Sequence, residues 1–278
     1  MSGPVGAPPR GPASGGGPTT GPGPGLAHAV GQVRYEQKAF WRNPAAAFFT
    51  FAFPLLFLVI FTALLGNDTS TLPTGREVSS ATYYTGSILA FAVITATYTN
   101  LAMSVTFSRE EGVLKRIRAT PMPPWAYLLS RVLNSALITA ILIVIVLAFG
   151  RLFYDVALPG GRFPAFIVTM VVGAASFCAL GLAVTALIPN ADAAPAVVNA
   201  SILPLLFLSG VFIPIDDGPQ WIRSVAQIFP IRHFLVASLD SFLGPGSGWR
   251  PGDLAVVALW GVGGLLAASR FFSWEPHR

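Results

Sequence analysis

Between Arg109 and Arg118 the chain carries two carboxylates and four cations, its densest charge cluster, threaded by the apolar residues Val113, Leu114 and Ile117. As an α-helix this stretch would rise about 15 Å, and Glu111 precedes Lys115 by four positions, the favourable order for a side-chain pair. Such a segment has the chemistry of recognition: either a striped, charged rod that docks in a partner's groove, or simply a solvated loop. Thr120-Pro121 should end the helix and Pro123-Pro124 should open the next, because proline is tolerated in a first turn but not inside a helix. Asp216 and Asp217 are adjacent carboxylates, but no other polar group converges on them, and capping of a short helix opening at Pro219 accounts for them. His28, His233 and His277 are widely separated, and the single cysteine, Cys178, lies in an apolar run, so no metal-ligand spacing and no disulfide framework exist. The only lysines, Lys38 and Lys115, follow Gln37 and Leu114, so a Gly-Lys-[Ser/Thr] phosphate loop is impossible. Neither G-x-S-x-G nor H-E-x-x-H occurs. No catalytic residue, metal site or cofactor is expected on this chain, and any energy source must be another polypeptide.

The elements around this cluster are apolar. Only 10% of the 278 residues are charged, against about a quarter in soluble domains, and the mean hydropathy is +0.65. This is the composition of an integral membrane protein, in which a net charge of +5 reads as a topology signal and not as a nucleic-acid footprint. Residues 1–25 hold nine Gly and seven Pro and form a disordered tail without the apolar core of a signal peptide. Residues 26–43 read as an amphipathic helix lying in the membrane interface. Leu26, Val30, Val33, Phe40 and Trp41 share one face, and Arg34, Lys38 and Arg42 flank it. Charge-free runs then place six spans near residues 45–65, 84–107, 128–150, 164–187, 195–213 and 252–271, within a domain covering 44–272. A short tail, 273–278, follows. With the N-terminus inside, 11 of the 17 Lys and Arg fall on the cytoplasmic side, including the loop at 108–127. That bias puts both termini in the cytoplasm. Residues 212–250 fit neither a span nor a plain loop. Two short helices are expected there, one from Asp217 through Ile228 and one over Ile231–Leu243, lying in or dipping into the outer leaflet.

Ionisable groups are missing from the span centres, which counts against a proton- or sodium-coupled carrier. Uncharged polar groups are not missing. Thr95, Tyr98, Thr99 and Asn100 in the second span, Asn134 in the third and Asn199 in the fifth either hydrogen-bond between helices or line a path for a large amphiphile, with Phe57 of the first span beside them. Gly173, Gly181, Gly261, Gly263 and Gly264 suggest close helix contacts, within the chain or at a dimer seam.

Two stretches carry a resemblance. Arg109-Glu-Glu-Gly-Val-Leu-Lys-Arg-Ile-Arg-Ala-Thr-Pro121, with Tyr127-Leu-Leu-Ser-Arg131, resembles the loop between the second and third spans of type-2 ABC exporter permeases, with Val113 where the family usually has Thr. Leu208-Ser-Gly-Val-Phe-Ile-Pro-Ile215, Pro219-x-Trp221 and Phe229-Pro230 are similar to the family's stretch after the fifth span. The resemblance runs from about Leu26 to the end. It implies an all-α membrane fold with a connecting helix before six spans, a coupling helix in the first cytoplasmic loop and outer re-entrant helices. By the same resemblance two permease copies pair with two separate ABC ATPase subunits, which hold ATP and Mg, in the cytoplasmic membrane. Arg109, Glu110, Glu111, Gly112, Leu114, Lys115, Arg116 and Arg118 would meet the ATPase, and Arg34, Lys38, Phe40, Trp41 and Arg42 of the connecting helix would brace them. The compact layout is similar to daunorubicin-type drug-resistance exporters, implying an amphiphilic small-molecule substrate; exporters of lipid or polysaccharide share the family, and a carrier without an ATPase is the competing class.

Overall fold

The computed structural model describes residues 24–65, 69–71, 77–118, 124–215, 218–243 and 246–272. The expected tails at 1–25 and 273–278 lie almost wholly outside these residues, as do Thr120-Pro121 and Asp216-Asp217. Besides helices and the segments that join them, the described residues hold one two-stranded sheet that the sequence reading did not foresee, in which Thr69–Thr71 (β1) pairs antiparallel with Glu77–Ser79 (β2).

Helix α1 (Pro24–Arg42) breaks at Asn43, and α2 (Pro44–Leu65) starts on a proline whose missing N–H is no loss in a first turn. Ser79 caps the next helix, its Oγ accepting from the backbone N–H of Thr82. That rod runs 31 residues, Ser80–Glu110, in three pieces: α3 (Ser80–Ile94), a π-helical turn (Thr95–Thr99) and α4 (Asn100–Glu110). Its length of about 46 Å exceeds the roughly 30 Å of a bilayer's hydrocarbon core, so one end must stand beyond that core. Then follow α5 (Val113–Arg118), α6 (Pro124–Tyr154), α7 (Phe163–Val184), α8 (Ala194–Leu208), α9 (Gln220–Ala226), α10 (Pro230–Leu243) and α11 (Pro251–Phe271). Five helices among the described residues are long and apolar enough to cross a membrane, those at residues 47–65, 80–110, 125–154, 160–187 and 251–271. The expected fifth span is shorter than its apolar run: α8 has 15 residues, about 22 Å, because the chain turns at Ser209-Gly210, where Gly210 takes a φ of +90°.

Helix α3 is buried along nearly its whole length and forms the core with α6, α2, α10 and α7. Phe91 and Phe212 anchor an aromatic cluster with Phe53, Phe57 and Phe61. Helix α10 is as buried as α3 and packs on α3, α7 and α11. It is fixed by a His233–Asp253 contact of 2.6 Å and an Asp240–Arg250 ion pair. Two expected boundaries shift: α9 begins at Gln220 with Pro219 as its N-cap, and Pro230 opens α10 instead of only closing α9. Of the glycines singled out, Gly173, Gly181, Gly261 and Gly264 sit where an added Cβ would press on a neighbouring element of the same chain, while Gly263 faces open space.

Candidate functional site

At one end of the bundle α1, α4, α5 and α6 converge, and the densest charge cluster lies there. The expected single helix from Arg109 to Arg118 does not form. Helix α4 runs to Glu110, the backbone turns at Glu111 and Gly112, and α5 starts at Val113. Gly112 adopts a φ of +69°, a left-handed conformation that costs other L-residues roughly 1–2 kcal/mol. Glu111, with a ψ of 0°, has left helical geometry, so the helical spacing that would pair it with Lys115 is lost. Its carbonyl instead accepts from the Arg116 guanidinium at 3.4 Å.

The turn sorts the cluster into two sets. Glu110, Glu111, Lys115 and Arg116 are exposed, Gly112 is half-buried, and Leu114 is fully buried, holding α5 beside α4 and α6. Arg118 closes α5. Arg109 points inward and is 1% exposed. Its guanidinium donates to the carbonyls of Thr185, at 3.1 Å, and Ile188, at the end of the 3-10 turn that extends α7. A cation there meets the carbonyl end of the helix and the negative end of its dipole. Arg109 is therefore a clamp between α4 and α7, and in this conformation its side chain is not on the exposed surface.

A second clamp was invisible to the sequence reading. Arg131, on the first turns of α6, donates through Nη2 to Ser108 Oγ at 2.9 Å and to the Tyr127 hydroxyl at 2.6 Å, and its Nε lies 3.2 Å from Glu36 Oε1. The Ser130 hydroxyl donates to the same carboxylate oxygen at 3.2 Å. One helical step away the Gln37 amide donates to Asn134 at 2.8 Å, and its oxygen accepts from the Trp41 indole. These bonds fasten α1 to α6 and α6 to α4. Burial pushes the Glu36 carboxyl above its ordinary pKa, opposed by the Arg131 charge and by side-chain hydrogen bonds from Ser130 and Gln32. The face of α1 turned to the protein thus centres on Ala29 and Glu36. Val30, Arg34, Lys38, Trp41 and Arg42 are exposed, and Phe40 is half-buried. The signal for Glu36 was its isolation: it is the only acid before Asp68.

The polar span residues do not converge on one cavity. Tyr98 and Ser201, their hydroxyls 2.7 Å apart, border an apolar space of about 620 Å³ between α7, α8 and α11. Thr95, Thr99 and Asn100 border a groove of about 340 Å³ against Phe49, Phe53 and Pro54 of α2. Asn100 also meets Asn134 across a separate polar cavity of about 340 Å³ under α1. Phe57 is stacked within the aromatic cluster, 5.9 Å from Phe61, and Asn199 is exposed on α8. Three of these residues sit on the π-helical turn. Thr95 and Thr97 donate their hydroxyls to the carbonyls of Phe91 and Val93, one turn back.

The sequence profile of the ABC-2 type transporter family matches residues 32–243, from the middle of α1 to the last residue of α10. The chain belongs to that family. This ABC-2 membrane protein is also similar to the putative transport permease YvfS of Bacillus subtilis, 24% identical over 77% of this chain and 85% of the relative. It is 29% identical to the probable multidrug ABC transporter permease YbhR of Escherichia coli, over 48% of this chain and 36% of that protein, so the match spans about a third of YbhR. The daunorubicin resistance permease DrrB1 of Streptomyces coeruleorubidus is 26% identical over 74% of this chain and 71% of its own. The ABC-2 chain is thus a multi-pass membrane permease with several helices able to cross the bilayer.

Proposed function

We propose that this permease is the membrane-spanning subunit of an ATP-driven exporter that moves an amphiphilic, drug-like compound out across the cytoplasmic membrane. In this reading α2, the rod α3–α4, α6, α7, the short α8 and α11 are six spans. Helices α9 and α10 form the outer re-entrant segment, both termini are cytoplasmic, and two copies assemble with two separate ATPase subunits. The observation that carries it is the platform at Glu110–Arg116. An exposed charged edge stands on a helix held by Leu114, while Arg109 and Arg131 tie its base to α7, α6 and α1. A push on α5 would reach the apolar helices α6 and α7, and α1 beside them, through bonds already made, which is what coupling ATP-driven closure to helix tilt requires. Arg109 and Leu114 serve the platform from within; Glu110, Glu111, Lys115 and Arg116 are the contact residues, with Arg118 beside them.

Affinity purification of the detergent-solubilised chain from its native membrane tests this. A stoichiometric ABC ATPase should copurify and be lost when Arg116 and Arg118 become Glu. An ATPase-free oligomer that still transports in vesicles would overturn the reading. Glu111→Lys should leave the chain folded but uncouple ATP hydrolysis from transport, read as substrate-stimulated ATPase activity in proteoliposomes.

A further inference from the structure

His233 of α10 meets an acceptor at each ring nitrogen. Its Nε2 lies 2.9 Å from the carbonyl oxygen of Gln227, the residue that caps the end of α9. Its Nδ1 lies 2.6 Å from Asp253 Oδ1, in the first turn of α11. A carbonyl can only accept, so Nε2 carries a hydrogen. Nδ1 then either carries a second hydrogen, which makes the ring an imidazolium beside a carboxylate, or accepts from a protonated Asp253. Both arrangements hold one proton more than a neutral ring beside an ionised acid. Without that proton one of the two contacts sets lone pair against lone pair and must open. The bridge from α9 to α11 is therefore a proton-bound form.

The element so bridged has little else to hold it. Helix α9 packs chiefly on α8, and two side-chain N–H groups pin its end: His233 on Gln227, and the Trp260 indole on the Ile228 carbonyl at 3.0 Å. Of these two donors the histidine is the one that can lose its charge. Directly after Ile228 come Phe229, Pro230 and Ile231, which together with Trp260 line the apolar space of about 620 Å³ between α7, α8 and α11. We propose that His233 is a proton-operated latch on this wall. With the extra proton bound, the end of α9 is tied to α11 and the wall stays in place; with the proton lost, the wall is released. The latched form gains a proton, so it is favoured as pH falls and lost as pH rises. The other charged groups on the elements around His233 are Arg232 of α10, which donates to the Ser209 carbonyl at 3.2 Å, Asp240, which pairs with Arg250, and the exposed Arg223 of α9. Helices α3 and α7, on which α10 packs, carry no charged residue; their titratable side chains are Tyr83, Tyr84 and Cys178.

That the latch governs an export cavity rests on the function proposed above, but its test needs neither ATPase nor substrate, so the two can fail separately. The full-length chain in nanodiscs is exchanged into deuterated buffer at about pH 5.5 and about pH 8.5, values that bracket histidine titration in general. Mass spectrometry reads the protection of the Gln227, Ile228 and Phe229 amides, which bond back into the end of α9, relative to the unfolded rate at each pH. In the wild type, protection should fall about tenfold or more at the higher pH, the effect of losing one hydrogen bond to a charged group. Asp253→Asn should stay protected at both values, because the asparagine amide donates to Nδ1 of a neutral ring whose Nε2–H still meets Gln227. His233→Gln should show no dependence on pH. Wild-type protection that ignores pH, an equal fall in Asp253→Asn, or a fall that persists in His233→Gln overturns the latch. Asp253→Asn keeps every donor in place and decides the matter if His233→Gln folds poorly.

Discussion

At the scale of single residues, the buried charges of Glu36 and Arg109 are each held by a second group. Removing Arg131 would leave Glu36 buried with Ser130 as its remaining strong partner, and Arg131→Gln should destabilise the chain by about 1–3 kcal/mol, the cost of stranding a buried polar group. Glu36→Gln should cost less, since an amide still accepts from Ser130 and buried pairs often exceed their neutral replacements only slightly. Thermal unfolding of both variants and of the double variant gives the coupling between them. The folded-state pKa of Glu36 lies above its unfolded value, so the folded chain holds the proton more tightly. Its contribution to stability is therefore fullest below the unfolded value and is lost as pH rises through the folded one. The unfolding midpoint of the wild type, relative to Glu36→Gln, should accordingly fall as pH is raised above the ordinary glutamate range. Arg109→Ala should lower the yield of folded chain, whereas Glu111→Lys should not, because only the first opens two buried carbonyls.

At the scale of elements, the platform depends on one backbone conformation. Gly112→Val should cost about 1–2 kcal/mol or more at the α4–α5 turn and reduce ATPase copurification, whereas Gly112→Asn should largely retain it, since asparagine tolerates the left-handed region. The π-helical turn sets a second constraint. A Cβ on Gly181 of α7 would stand 2.7 Å from the Tyr98 carbonyl oxygen, which backbone cannot easily evade. Gly181→Leu should therefore separate α7 from the turn and appear as lower thermal stability and a changed transport profile. The helices themselves were readable, because long apolar runs bounded by Pro, Asn and charge leave few alternatives. The break at Gly112 was not: glycine in a charged stretch is compatible with a helix, and the left-handed turn is chosen only because Leu114 then reaches the interior.

At the scale of the whole molecule, α8 is held more loosely than the other helices assigned as spans. Helix α8 exposes Asn199, Leu203 and Phe207 and packs chiefly on α4 and α9. An amide facing hydrocarbon is unfavourable unless a neighbour covers it, and a second copy of the permease provides that cover in the proposed assembly. Asn199→Cys in a Cys178→Ser background should crosslink in native membranes to a species of twice the chain's mass; a monomer only would exclude α8 from the seam.

The sequence by itself determined the class of this protein. Apolar runs long enough to cross a bilayer mark it as a membrane protein, because that property depends on the transfer of segments from water and hardly on their arrangement. Tertiary structure decided which charges are available. Arg109 and Arg116 sit in the same basic cluster and are equivalent on paper, yet one binds the end of α7 and the other is exposed. Glu36 pairs with Arg131 across 95 residues of chain, and no local pattern encodes a contact made only when α1 folds back along α6. The division follows from range: hydrophobic burial is summed residue by residue along a segment, whereas an ion pair exists only at the few ångströms that packing alone brings about.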